Sequence, residues 1–181
     1  MTRFASGFLF LLLPGLCYAA ETIPVTRGTS LSGDEYMLPR DLAAGRSILI
    51  LGFSEKSATQ SATWSKKLLG SLCLEQQSAT CYELPVLAGV PKLFRGVVLH
   101  GIKKETPGSM LRSFLPVFEK EQEWKRVAQF RESDDAYLLL VNRVGEVEWK
   151  THGDCTTERL QELKKAIDDP PKLPGRGMPR K

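Results

Sequence analysis

Apolar positions along the chain alternate between two periods. Ile48 to Phe53, ILILGF, is a short continuous apolar run, the pattern of a strand buried on both faces. Beyond it Trp64, Leu68 and Leu72 recur four residues apart with Leu69 beside them, which predicts a helix over about 57–72 with one buried stripe. Ser54 or Ser57 is placed to cap its start. Tyr82 to Leu87, YELPVL, reads as a second strand, moved toward a sheet edge or cut short by Pro85. Residues 92 to 130 read as a long, mostly helical crossover broken at Thr106-Pro107-Gly108, with Pro116 at the start of its second helical part. Ala136 to Val141, AYLLLV, is the clearest strand. A turn over Asn142–Gly145 follows, with Gly145 available for positive φ, and then Glu146 to Lys150 alternates as a half-buried strand does. Thr156 can cap a last helix with Glu158 in its first turn and Leu160, Leu163 and Ile167 as its apolar stripe. Residues 21 to 45 read as an extended lead-in interrupted by Gly33, Pro39 and Gly45.

The element order is therefore β-α-β, a helical crossover, a β-β hairpin and a helix. Its first parallel connection is right-handed by rule. The expected class is α/β, a three-layer arrangement with helices on both faces of a small mixed sheet. The chain divides into a signal peptide (1–20), one domain (21–169) and a basic, disordered tail (170–181). Arg3, the apolar FLFLLL of residues 8–13, the Pro14-Gly15 break and the small residues Ala19 and Ala20 have the order of a secretory signal. Six apolar residues fall far short of the ~20 that a spanning helix needs. A lipidated Cys17 would want a small residue before it, where Leu16 stands. The expected location is thus the periplasm or the extracellular space, with no stable membrane span once the signal is cleaved.

The formal charge of +4 sits mostly at the ends. Arg3 leaves with the signal, and Lys172, Arg176, Arg180 and Lys181 lie in the tail, so residues 21–169 carry 20 basic and 21 acidic side chains. A nearly neutral domain gives no basic face for nucleic acid. Cys73, Cys81 and Cys155 survive processing, and exported thiols tend to pair. Cys73 and Cys81 bracket the short stretch CLEQQSATC, and a disulfide there would contribute about 2–3 kcal/mol in the loop-closure account. Two free thiols are the alternative at this stage.

Taken together, the Ile48–Phe53 strand with its Trp-containing helix, and the segment DDAYLLLVNRVGEVEWKTHG with its capped helix, resemble the thioredoxin-like superfamily. Leu38-Pro39-x-Asp41-Leu42-x-x-Gly45-x-x-Ile48 resembles the lead-in of its exported peroxiredoxin and TlpA-type members. The stretch from Tyr137 to Trp149 is similar to mitochondrial ATP synthase assembly factors, a cysteine-less branch, and the chain is also similar to small periplasmic thioredoxin-like proteins. The resemblance spans roughly residues 28 to 167. It implies a reactive position just after the first strand. There, redox members carry Cys-x-x-Cys, and this chain carries Ser54-Glu55-Lys56-Ser57. Redox members also carry a cis-proline before the strand matching Ala136–Val141, where this chain has Ser133-Asp134-Asp135. A serine has nothing like the acidity of a low-pKa thiol at a helix N-terminus.

The expected function follows from those departures: an exported binding or assembly factor, of chaperone type, for an envelope protein, with no catalytic residue, cofactor or metal. Ser54, Glu55, Lys56 and Ser57 are its candidate groove, and free helix-terminal N–H groups would meet a peptide carbonyl there. The alternative is a thiol oxidoreductase or peroxiredoxin-like enzyme that relocates its sulfur to Cys73, Cys81 or Cys155. Ser54 as a nucleophile lacks the second glycine of an elbow, Lys56 standing in its place. A metal on His152-x-x-Cys155, with or without His100, has too few clustered ligands. Trp124, set among Glu121, Glu123, Lys125 and Arg126, reads as the partly exposed tryptophan available for partner contact, and Trp64 and Trp149 as core or near-core.

Overall fold

The computed structural model describes residues 20–43, 45–73 and 79–169. The signal peptide and the tail expected at the two ends lie outside the described residues. The core is a four-stranded sheet of β3 (Ser47–Gly52), β4 (Thr80–Pro85), β5 (Ala136–Val141) and β6 (Val147–His152). Its order is β4-β3-β5-β6. β3 runs parallel to β4 and antiparallel to β5, and β5 runs antiparallel to β6. Alternation along β3 sorts its side chains. Ile48 and Ile50 pack with Trp64 and Leu68 of α1 (Ser57–Leu68) and with Leu163 and Ile167 of α4 (Thr157–Asp168). Leu49 and Leu51 pack on the other face with Trp124 and Val127 of α3 (Glu121–Ala128). All four β3 side chains are at most 1% exposed, as the continuous apolar run requires.

The lead-in is not simply extended. It forms an antiparallel hairpin of β1 (Thr26–Thr29) and β2 (Glu35–Leu38), which lays Tyr36 and Leu38 on the α3 side of the core. Gly33, at φ +101, supplies the left-handed turn residue between them. The fully buried Thr26 hydroxyl accepts from the indole Nε1 of Trp124 at 3.2 Å. That contact corrects the expectation for Trp124, which is wholly buried. The charged neighbours in sequence occupy the solvent side of a two-turn helix whose tryptophan points inward beneath the hairpin.

Residues 92–130 depart furthest from the expected helical crossover. α2 (Lys92–Glu105) is a helix, but none of its residues is buried, so it covers neither face of the sheet. Pro116 does not open a helix. Residues 113–117 run extended and parallel to β4, with Leu115 N donating to the Glu83 carbonyl at 2.7 Å and Val117 N to that of Pro85 at 2.9 Å. A fixed φ suits an extended residue as well as a first helical turn, and the residue before proline is pushed out of the helical region. Pairing with β4 then decides the matter. Pro85 has no N–H to donate, which splits this pairing into two isolated bridges, at Glu83 and at Val86.

α1 ends at Leu68 and continues as a π-helical turn, Leu69–Cys73. Cys73 and Cys81 are joined by a disulfide with their Cα atoms 5.9 Å apart. Thr156 caps α4 through its hydroxyl, which accepts from Arg159 N at 3.3 Å. Gly145 adopts φ +82 in the β5–β6 turn, and a Cβ there would lie 2.7 Å from the Pro39 side chain. On α1 three serines, Ser57, Ser61 and Ser65, share the buried face, letting the helix sit close to the sheet while Trp64 and Leu68 fill the space. Ser65 donates to Glu83 at 2.7 Å.

Two outcomes follow from this packing. Trp124→Ala should cost about 3–5 kcal/mol in denaturant unfolding, the usual loss for a buried large aromatic. A cost under about 1 kcal/mol would mean that the hairpin is not held by that contact. For Glu83, burial raises the carboxyl above its ordinary 4.5, and the Ser65 hydrogen bond opposes the rise. A raised folded-state value favours the protonated acid, so its contribution is fullest below 4.5 and is lost as pH climbs through the folded value. Glu83→Gln keeps the acceptor and removes the charge. Its melting temperature should exceed that of the parent at neutral pH, with the gap closing toward pH 4.5; a gap that does not change with pH would contradict this.

Candidate functional site

The C-terminal end of β3 is built for close approach. A Cβ on Gly52 would stand 2.6 Å from Ser57 Oγ and 3.4 Å from Ser61 Oγ, so only glycine lets α1 begin so near the strand. Between them Ser54 and Ser57 hold each other. Ser54 Oγ accepts from Ser57 N at 3.2 Å, Ser57 Oγ accepts from Ser54 N at 3.3 Å, and Ser57 Oγ donates to the Ser54 carbonyl at 2.7 Å. This is reciprocal capping of a helix start, with Ser54 as the capping side chain. Ser57 is fully buried, and Ser54 is half-buried at the surface.

Free N–H groups were the sequence expectation at this junction, and the structure fills two of them locally. Ser57 N goes to Ser54 Oγ, and Ala58 N goes to the Glu55 carbonyl at 3.1 Å. A ligand here meets side chains first. Glu55 and Lys56 are exposed, and Lys56 Nζ lies 3.3 Å from Asp134 Oδ2. Ser54 Oγ donates to Asp134 Oδ1 at 3.5 Å, and Ser133 Oγ donates to the same atom at 3.0 Å. The Ser133 hydroxyl, then Lys56, hold the Asp134 carboxyl below its ordinary value. From the first turns of α1, Gln60 Oε1 accepts from Ala136 N at 2.9 Å, which ties the start of β5 to the helix. The two segments 54–57 and 133–136 are thus brought together here with hydroxyl, amide and ionic contacts.

An aromatic bracket, which the sequence pattern did not reveal, fixes the loop behind them. Phe53 meets Phe130 edge-on at 5.2 Å and Tyr137 at 5.5 Å, and Phe130 stacks on Tyr137 at 5.7 Å. Lys125 stands 4.6 Å over the Phe130 ring. The Tyr137 hydroxyl accepts from the backbone N–H of Arg131 and Glu132, each at 2.8 Å, and donates to the Glu132 carbonyl. On its other side Tyr137 stacks on His152, whose Nδ1 lies 2.6 Å from Asp135 Oδ2. His152 is therefore held by a hydrogen bond to Asp135 and by stacking on Tyr137; among the described residues no group of three or more His, Cys, Asp or Glu is arranged to hold a metal ion. The signal that could have found the bracket is cross-strand register, which places Tyr137 opposite His152.

The bonded cysteines, Cys73 and Cys81, lie elsewhere. Cys81 is in register with Ile48 at one end of β3, and Gly52 at the other end is opposite Pro85, about 13 Å away at 3.3 Å per residue. Cys73 follows the far end of α1, and the Cys155 carbonyl accepts from Lys67 in the last turn of that helix. Burial raises the Cys155 thiol above its ordinary value, with Lys67 opposing.

No family model matches the chain, and no curated protein matches it either. Solved structures do. Etrx1, the exposed lipoprotein thioredoxin of Streptococcus pneumoniae, is 12% identical with a TM-score of 0.52, covering 78% of this chain and 99% of its own. BsSco, of the Sco family of cytochrome c oxidase assembly proteins, is 10% identical with a TM-score of 0.53, covering 83% and 95%. A thio-disulfide isomerase from Thermus thermophilus is 16% identical with a TM-score of 0.50, covering 82% and 95%. At such identities the likeness speaks for the backbone arrangement alone. This chain has the thioredoxin-like fold.

Proposed function

We propose that this chain is an exported, non-catalytic member of the thioredoxin-like superfamily that binds or helps assemble an envelope protein. The observation that carries this is the Ser54-x-x-Ser57 pair, which keeps the spacing of the redox dithiol but uses both hydroxyls to cap α1. A hydroxyl capping a helix cannot exchange with a disulfide, and the bonded pair Cys73–Cys81 lies toward the other end of β3. What remains at the junction is a polar ridge of Glu55, Lys56, Ser133 and Asp134, exposed and suited to a peptide's amides and charges.

A second reading rests on the Cys73–Cys81 disulfide with Cys155 packed against the same apolar cluster, as a relocated redox centre. The raised Cys155 thiol counts against it, because exchange needs thiolate.

Insulin reduction by dithiothreitol, beside a Cys-x-x-Cys thioredoxin, separates the two. The chain should give the uncatalysed rate; turnover near the control that disappears in Cys73→Ser/Cys81→Ser would establish the relocated centre instead. Junction binding is tested by pairing thermal unfolding with capture of an envelope partner identified by mass. Ser54→Ala should cost about 0.5–2 kcal/mol, the loss of a cap. Lys56→Ala should leave stability unchanged, since both members of its ion pair are exposed, and still weaken capture. Capture that falls only in proportion to stability would leave the junction a structural role.

A further inference from the structure

Among the described residues α2 is the one α-helix with no buried residue. Arg95, Val98, Leu99 and Ile102 are half-buried, and Arg95 stacks at 4.4 Å over Phe118 and donates to the Val90 carbonyl. The opposite side faces solvent and is apolar at its centre. Leu93 is 85% exposed, Phe94 56% and Val97 73%. Leu93 and Val97 are four residues apart and Lys104 follows seven later, so the three fall on one stripe, with Phe94 and Gly101 beside it. Lys92 and Lys103, eleven apart, line one border of the stripe. Pro91 and Thr106-Pro107 bound the helix, which is about 21 Å long at 1.5 Å per residue.

Charge follows the same division. α2 carries four basic residues and one acidic one, and the rest of residues 21–169 has 16 basic against 20 acidic. A basic, apolar-faced helix thus projects from an acidic body. Lys92, Lys103 and Lys104 are exposed. A second copy docked face to face would bring these lysines together with those of its mate, which like-charge repulsion opposes. A protein ligand that seats its own side chains wants a groove. The stripe stands out as exposed side chains, and neither the cavity at the β1–β2 hairpin nor the small one beside Glu83 is lined by any α2 residue. A stripe of exposed apolar side chains bordered by lysines is what an anionic bilayer surface accepts, with the apolar groups among the acyl chains and the ammonium groups at the phosphates.

We propose that α2 is a peripheral membrane-binding arm that rests on anionic phospholipid. It goes beyond the binding role proposed for the junction, and neither requires the other. Docked through α2, the domain would be held at the envelope surface without a spanning segment, and no described helix is long and apolar enough to span.

Co-sedimentation of the signal-free chain with phosphatidylcholine vesicles, with and without phosphatidylglycerol, tests this. The chain should sediment with the anionic vesicles only and be released by salt. Leu93→Ser/Phe94→Ser/Val97→Ser and Lys92→Gln/Lys103→Gln/Lys104→Gln should each lower partitioning at least about tenfold, with melting temperature held because these residues are exposed. As a check independent of those variants, Phe94→Trp emission should shift to the blue on anionic vesicles. Absence of binding, equal binding to neutral vesicles, or variants that bind like the parent would overturn the proposal. So would a dimer in sedimentation velocity that the apolar variant dissolves, or capture by an acidic polypeptide with none by vesicles.

Discussion

β3 has no solvent face, and most of the architecture is arranged to cover it. Its isoleucines need α1 and α4 on one side and its leucines need α3 and the β1–β2 hairpin on the other. Its hydrogen bonds are completed by β4 in parallel and β5 in antiparallel. Burying four branched side chains favours this arrangement by roughly 1.5–3 kcal/mol each before entropy is counted. Because the strand cannot slip by one residue without turning isoleucines into leucine positions, its register fixes where Gly52 ends and hence where α1 starts. Arg46, just before β3, anchors the opposite end by bonding Glu148 at 2.7 Å and the Ile167 carbonyl at the end of α4.

At the upper end of β3, where the chain turns into α1, hydroxyl and carboxylate groups meet. Gly52 admits Ser57 as a buried group, Ser54 stays at the surface, and the loop before β5 returns to meet them through Asp134 and Gln60. Sulfur at these positions would exchange electrons; oxygen here closes hydrogen bonds. The buried Ser61 hydroxyl has no partner among the described residues, in keeping with a helix face chosen for small size rather than for bonding.

α2 stands apart from this logic. A helix that leaves Leu93, Phe94 and Val97 in solvent is not stabilised by the core, and exposed apolar groups gathered on one stripe mark a surface that meets something else.

Much of the fold was legible in periodicity. The runs at 48–53 and 136–141, the stripe Trp64-Leu68-Leu72 and the Thr156 cap each report a local rule, alternation, 3.6-residue repeat or a side-chain oxygen at a helix start, and these rules depend on neighbours within a turn or two. The serine pair at 54 and 57 was legible for the same reason, as a spacing. Sequence could not decide which helical stripe would be covered. The apolar positions of α2 and the lone tryptophan of α3 give opposite impressions from those the fold delivers, because burial depends on what the hairpin and the 113–117 stretch occupy first. Pro116 likewise permits helix or extension locally, and pairing with β4 chooses. The sequence by itself determined the strands at 48–53 and 136–141, the helices that follow Ser57 and Thr156, and the absence of cysteine from 54–57. Only the tertiary structure decided that Trp124 is core, that Ser54 and Ser57 cap one another, and that α2 is left uncovered, since each depends on contacts between residues distant in the chain or on a close approach that spacing alone does not measure.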